Sequence, residues 1–345
     1  MSSVGIIGAG AWGIAIAKLL ENNGHKIKIW SALDKEIDML NEHRELIDKL
    51  PGVKLSDTAL FTNDLEFALS DNDFLVLAVA SPFTRATAKK MAPYIKEGQI
   101  IVNVAKGIEE DTLMTLSEVV EEEIPQAIVC VLSGPSHAEE VAHGIPTIIV
   151  VGSKNQDTAK FLQEAFMSDV FRVYISSDVK SIELGAALKN VVALAAGIAD
   201  GLGYGDNTKA ALITRGIAEI SRLGIVMGGR IETFYGLTGI GDLIVTCASM
   251  HSRNRRAGIL IGQGKTYEEA MAEVKQVVEG VYAAKAGLKL AKKYNVSMPI
   301  ISEVNNILFN NADAASSVKK LMVREGKVEN IDLRELYQTQ VEIPW

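Results

Sequence analysis

The chain has 345 residues, 48% hydrophobic and 6% aromatic, with a formal net charge of -8. That length predicts two domains, and the composition suits Ala/Val/Ile/Leu-rich α/β layers around a large core. The acidic balance excludes a general nucleic-acid binder, so any anion site must be built locally from converging Lys and Arg residues. Cys130 and Cys247 are far apart and form no CxxC pattern, and the five histidines form no HxxxH pair. A disulfide framework, a thiolate zinc site and a His-based metal site are therefore not expected, and a reducing cytosol fits. No basic n-region or cleavage signal opens the chain. The softest stretch, 184–199, holds Lys189 and Asn190, which a free membrane span does not readily accept. A cytoplasmic protein with no membrane span is expected.

Through the first half, short β-rich runs alternate with helix-length segments. The runs are Val4–Gly8, Lys26–Trp30, Phe74–Ala80, Ile100–Ala105, Ile128–Leu132 and Thr147–Val151, with a weaker one at Phe171–Ile175. Between them lie 11–22, 35–49, 83–95 and 112–123, which predicts a Rossmann-type, doubly wound parallel sheet. From Asp178 onward Ala-rich segments of period 3.6 take over, at 180–200, 207–223, 267–273, 281–294 and 300–310. We expect a dinucleotide-binding domain over 1–177 and an all-helical, substrate-binding domain over 178–345.

Gly8-Ala9-Gly10-Ala11-Trp12-Gly13 follows the first run and opens a helix. In that context Gly8 permits the tight turn, Gly10 lets backbone approach a pyrophosphate, and Gly13 allows close helix packing. The helix N-terminus then offers free N–H groups and its positive dipole end to the phosphates. A carboxylate about 20 residues on normally holds the ribose 2′-OH of NAD. Here Ser31 takes that place and Ala32 follows, while Asp34 can cap the next helix, so NAD and NADP both remain possible.

Lys106-Gly107 and Gly134-Pro135-Ser136 follow predicted strands, at the sheet edge where open α/β folds collect ligands. Lys106 can neutralise a phosphate or polarise a carbonyl; the alternative is a solvated loop lysine. Lys189 lies mid-helix among Leu184, Gly185, Ala186, Val192, Ala193 and Ala196, with Asn190 beside it. Desolvation there favours proton exchange near neutral pH, unless the ammonium snorkels to water. Gly236–Gly241 is a glycine-rich loop ending in Asp242, which can serve simply as a helix cap. Ser252-Arg253-Asn254-Arg255-Arg256 is the best local anion site, since Arg forks match phosphate oxygens; a solvated basic helix face is the alternative.

Together these motifs resemble the bacterial-type NAD(P)H-dependent glycerol-3-phosphate dehydrogenases over nearly the whole chain. The resemblance rests on GAGAWG at 8–13, VAKGIE at 104–109, SGPSHAEEVA at 133–142 and ELGAALKNVVALAAGIADGL at 183–202. GLTGIGDL at 236–243, SRNRRAG at 252–258 and VVEGV at 277–281 complete it. It implies reversible hydride transfer between a nicotinamide and dihydroxyacetone phosphate, giving sn-glycerol 3-phosphate, in an interdomain cleft of a homodimer that supplies glycerophospholipid synthesis. By the same resemblance Lys189 is the proton acceptor in alcohol oxidation, with Lys106 and Asp242 also in the catalytic set. Lys106, Gly134, Ser136, Lys189, Asp242, Ser252, Arg253 and Asn254 would contact the substrate. Gly8, Gly10, Ala11, Trp12, Gly13, Lys106, Ala138, Arg253, Val277 and Glu279 would contact NAD or NADP. No metal is implied. Ala32 departs from the basic or imidazole residue that many members carry, and His137 stands where several have Phe. A β-hydroxyacid or ketopantoate reductase would need a carboxylate clamp in place of the 252–256 cluster. A non-catalytic NAD(P) sensor would lack the Lys106, Lys189 and Asp242 set.

Overall fold

A computed structural model describes residues 1–326 and 329. They divide into two compact units: Met1–Lys106 with Met114–Val179, and Gly107–Leu113 with the chain from Lys180 onward. The sequence pattern assigns 107–113 to the first domain, whereas its packing assigns it to the second. Ile108 belongs to the helical core, and Glu110 pairs with Lys285 and Lys289. Of the expected second domain, 327–328 and 330–345 lie outside the described residues.

The first unit is an eight-stranded sheet of order β3-β2-β1-β4-β5-β6-β7-β8. The strands are β1 (Ser3–Ile7), β2 (Lys26–Trp30), β3 (Leu60–Thr62), β4 (Phe74–Leu77), β5 (Ile100–Asn103), β6 (Ile128–Ser133), β7 (Thr147–Ser153) and β8 (Phe171–Ser176). Helices α1 (Ala11–Asn22), α2 (Asp34–His43), α3 (Leu65–Leu69), α4 (Thr84–Met91), α5 (Leu116–Glu123), α6 (Ala138–Ala142) and α7 (Gln156–Phe166) connect them. Period-two alternation explains why the strands read as continuous apolar runs, for each face has its own core. Ile6, Phe74, Val76 and Val102 join one cluster, and Ile7, Leu75, Leu77 and Ile101 join the other. The sequence pattern missed β3, a three-residue edge strand whose Leu60 is exposed. It also implied a wholly parallel sheet, but β7 runs antiparallel to β6. The 134–146 connection, with its five-residue α6, turns the chain back at the carboxyl edge instead of crossing the sheet. β1 and β4 are neighbours, so the strand order reverses beside the glycine turn, where open α/β sheets bind ligands.

The second unit is helical among its described residues: α8 (Val179–Gly201), α9 (Asp206–Val226), α10 (Ile231–Phe234), α11 (Asp242–Ala248), α12 (Arg253–Gly262), α13 (Tyr267–Val274), α14 (Glu279–Lys293), α15 (Pro299–Phe309) and α16 (Ala314–Met322). Helix α8 is long and apolar enough to cross a membrane, yet its apolar window is wholly buried inside the protein. Its apolar side chains face every direction, as a central core helix requires. Glycines bring α12 against it. A Cβ on Gly197 would lie 2.1 Å from the Arg255 carbonyl oxygen, and one on Gly258 would lie 2.2 Å from that of Leu194. Gly201 and Gly262 repeat the arrangement one turn further along, against Ile259 and Ile198. The two backbones touch, and this carries the start of α12 to the middle of α8.

Candidate active site

Each glycine of the first turn does a different job. Gly8 has φ +120°, and a Cβ there would lie 2.8 Å from the Ala78 carbonyl carbon at the end of β4. A Cβ on Gly13 would lie 2.1 Å from the Gly8 carbonyl oxygen, so the helix packs on the turn itself. Gly10 differs: its φ is ordinary at -72°, and a Cβ would meet no atom within 4 Å. It caps α1 without a side chain, leaving the helix N–H groups facing open space. That unfilled cradle over a helix N-terminus fits a dinucleotide pyrophosphate.

The next ligand-edge loops in this unit are joined through one carbonyl. Lys106 Nζ donates to the Gly134 oxygen at 3.0 Å, and Ser136 Oγ donates to the same oxygen at 2.9 Å. Gly134 has φ +147°, a backbone geometry that glycine tolerates. Asn103, buried at the end of β5, shapes the approach: its side chain donates to the Ala105 carbonyl and accepts from the Ala105 N–H. Nothing in the sequence pattern marked Asn103. Ala138 opens α6 and packs against the core beneath α1.

In the helical unit Lys189 sits ten residues into α8, about 15 Å from the nearer helix end at 1.5 Å per residue. A lysine stem cannot span that distance, so snorkelling along the axis fails and the ammonium must be satisfied inside. It donates to Asp242 Oδ1 at 2.5 Å and to Thr246 Oγ1 at 2.6 Å, with side-chain exposures of 6% for Lys189 and 1% for Asp242. Thr246 in turn donates to the Asp242 carbonyl at 2.6 Å. The carboxylate therefore works against the desolvation that the sequence pattern emphasised. Asp242 is not a capping residue either. Gly241 holds the N-cap position, and Asp242 is the first residue of α11.

The glycine-rich loop delivers it. Leu237–Gly241 forms a π-helical turn, and Gly239 fits because a Cβ would collide with the Phe234 carbonyl at 1.9 Å. Gly185, one turn before Lys189 on the same face, lets the loop approach, with the Thr238 oxygen 3.0 Å from where its Cβ would be. Thr246 escaped the sequence analysis; its signal was the i,i+4 spacing from Asp242.

A second buried network lies alongside. Asn254 Nδ2 donates to Asn190 Oδ1 at 2.9 Å, and Asn254 Oδ1 accepts the Gly280 N–H at 2.8 Å. Val277 and Glu279 flank this point at the start of α14, so the 277–281 segment is tied to α8 through Asn254. Ser252 caps α12, accepting the Arg255 N–H at 3.2 Å. The basic cluster divides: Arg253 and Arg256 are exposed, whereas Arg255 is turned inward. Its guanidinium forks onto Asp200 Oδ2 at 2.8 Å and donates to the Ala248 carbonyl at 2.7 Å. Arg255 thus holds the fold and is not part of an anion site. Cys247, next to Thr246, is no nucleophile, since burial pushes its thiol up to about 12. None of these residues lines the groove of about 980 Å³ between α9, α15 and α16, where Glu219 lies.

Two parts of the chain match the family described as NAD-dependent glycerol-3-phosphate dehydrogenase: residues 3–159 its N-terminus and 178–319 its C-terminus. A relative from Agathobacter rectalis, glycerol-3-phosphate dehydrogenase [NAD(P)+], is 64% identical over 333 residues, covering 96% of this chain and 99% of its own. The enzyme of the same name from Fusobacterium nucleatum is 58% identical over 333 residues, covering 95% and 99%. A crystal structure of glycerol-3-phosphate dehydrogenase from Coxiella burnetii superposes with a TM-score of 0.91 at 36% identity, covering 94% of this chain and 99% of that one. The chain belongs to the NAD-dependent glycerol-3-phosphate dehydrogenase family.

Proposed function

We propose that this oxidoreductase interconverts dihydroxyacetone phosphate and sn-glycerol 3-phosphate, with its first domain (1–177) holding the dinucleotide and its helical domain (178–345) supplying the substrate groups. The observation that carries the reading is the buried Lys189–Asp242–Thr246 cluster. An ammonium held rigidly in a dry helix core is preorganised to give a proton to a developing alkoxide and to take it back in oxidation. Asp242 keeps that ammonium in place. When bound, the nicotinamide supplies or accepts the hydride. The Gly8–Gly13 turn and α1 would hold the pyrophosphate, and Ala11, Trp12, Ala138, Val277 and Glu279 would contact the dinucleotide. Lys106, Gly134, Ser136, Ser252, Arg253 and Asn254 would bind the three-carbon phosphate, with Lys106 and Arg253 also reaching the dinucleotide.

The test is loss of absorbance at 340 nm on mixing the protein with dihydroxyacetone phosphate and NADH or NADPH. No turnover with either dinucleotide refutes the reading. The reading extends to a cytoplasmic homodimer supplying glycerophospholipid synthesis, and light scattering on the purified protein decides the dimer.

A further inference from the structure

The residues after β2 say which dinucleotide the turn is built for. Trp30, the last residue of β2, accepts the Gly8 N–H on its carbonyl at 2.9 Å. Ser31 therefore stands beside the glycine turn, where a dinucleotide lying across it presents its adenosine ribose. The backbone there is pinned: Ser31 N–H donates to Thr62, and Asn63 Nδ2 donates to the Ser31 carbonyl at 2.9 Å.

The Ser31 hydroxyl has one proton, and it goes to Glu36 Oε2 at 2.5 Å. One lone pair of the same oxygen accepts the Leu33 N–H at 3.1 Å. With its proton committed, this hydroxyl can only accept, as the strand-end carboxylate of an NAD site does. A ribose hydroxyl brings a donor to such a place; a 2′-phosphate brings only acceptors and negative charge. Glu36 lies in the first turn of α2, is 8% exposed, and forms an ion pair with Lys49 through its other oxygen. Asp34 adds a second carboxylate in that turn, and Lys35 is answered by Asp48 at 2.8 Å. The exposed positions following Ser31 are Ala32, Leu33, Asp34 and Lys35: the first two have no group to receive a phosphate, Asp34 repels one, and the one cation, Lys35, is paired with Asp48.

We propose that Glu36, delivered from α2 and locked to Ser31, replaces the missing strand-end carboxylate and makes this chain select NADH over NADPH. The inference rests on the dehydrogenase reading, and it makes Glu36 a positioning and specificity residue. The test uses the full chain: dissociation constants for NADH and NADPH from nicotinamide fluorescence, and kcat/KM for each with dihydroxyacetone phosphate. NADH should bind at least about tenfold more tightly. Glu36→Gln releases Lys49 and removes a charge, and should narrow the ratio by about fivefold or more, chiefly by tightening NADPH. Ala32→Arg, at an exposed site, should narrow it as well by adding a guanidinium for the 2′-phosphate, so the test survives if Glu36→Gln fails to fold. Equal affinity or NADPH preference in the parent overturns the inference. So does a Glu36→Gln protein that weakens both dinucleotides equally, as a mere buttress would. Binding of neither dinucleotide by the parent overturns the dehydrogenase reading beneath it.

Discussion

Replacing Asp242 by Asn should cost more stability than replacing Lys189 by Met, although both break the same ion pair. Both charges are buried, at 2.5 Å from one another. Removing one partner of such a pair typically costs about 3–5 kcal/mol, because the other charge is left without compensation. The two survivors differ. In Lys189→Met the Asp242 carboxylate remains at the head of α11, whose dipole favours a negative charge by about 0.3–1 kcal/mol. In Asp242→Asn the ammonium stays mid-helix in α8, with the Thr246 hydroxyl and an amide in place of the carboxylate. We therefore expect about 3–5 kcal/mol for Asp242→Asn and about 0.3–1 kcal/mol less for Lys189→Met. The double variant should lose less than the sum, with a coupling of at least about 2 kcal/mol. Urea midpoints of the four proteins measure this, and steady-state turnover separates stability from chemistry. Lys189→Met should lower kcat by at least about 100-fold while dinucleotide affinity stays within about twofold, and the double variant should recover stability without recovering turnover. Additive stabilities within about 0.5 kcal/mol would refute the pairing, and normal turnover by Lys189→Met would refute its role in proton transfer.

Two of the turn glycines, Gly10 and Gly13, should separate by phenotype. Gly10→Ala is expected to change stability by no more than about 0.5 kcal/mol, its entropic gain offset by a poorer cap, yet to weaken dinucleotide binding at least about tenfold. Gly13→Ala should instead lower Tm, since its Cβ meets the Gly8 carbonyl at 2.1 Å. Binding by Gly10→Ala at the parent's affinity would displace the pyrophosphate from that cradle. Arg255→Ala should lose about 2–3 kcal/mol through its fork on Asp200, whereas Arg253→Ala should raise the KM for dihydroxyacetone phosphate with little change in Tm. Glu219 predicts a pH dependence. Burial pushes its carboxyl up from 4.5 to about 7, while the Ile300 N–H donates to it. Because the folded value lies above the unfolded one, its stabilising contribution is full below about pH 4.5 and is lost as pH rises through 7. Glu219→Gln should therefore raise the urea midpoint at pH 8 relative to the parent and give no gain at pH 5; an equal shift at both would contradict the assignment.

The local signals that were legible share one property: each is written in residues close together in the chain. The glycine turn, the period-two strands and the Ala-rich α8 follow from backbone geometry and solvent exclusion acting over a few turns. Lys189 stood out because a cation in a run of small apolar residues is locally anomalous. What Lys189 touches was not legible. Asp242 and Thr246 lie more than fifty positions away, and packing such as the close fit of Gly185 to the loop brings them together. The basic cluster misled for the same reason: spacing alone cannot tell Arg253 from Arg255, and Asp200, on another helix, decides it.

The antiparallel β7 and the edge strand β3 were decided by pairing partners that short-range pattern does not encode. The strand end after β2 shows the division most sharply. From the sequence, Ser31 and Ala32 left an undecided strand end, because a hydroxyl can donate or accept. The direction of its proton is settled by a carboxylate on the following helix, at a distance that folding sets. Sequence by itself determined the dinucleotide turn, the alternating sheet and the buried lysine, since these depend on neighbours along the chain. Tertiary structure decided what each charge faces, since electrostatic pairing depends on neighbours in space.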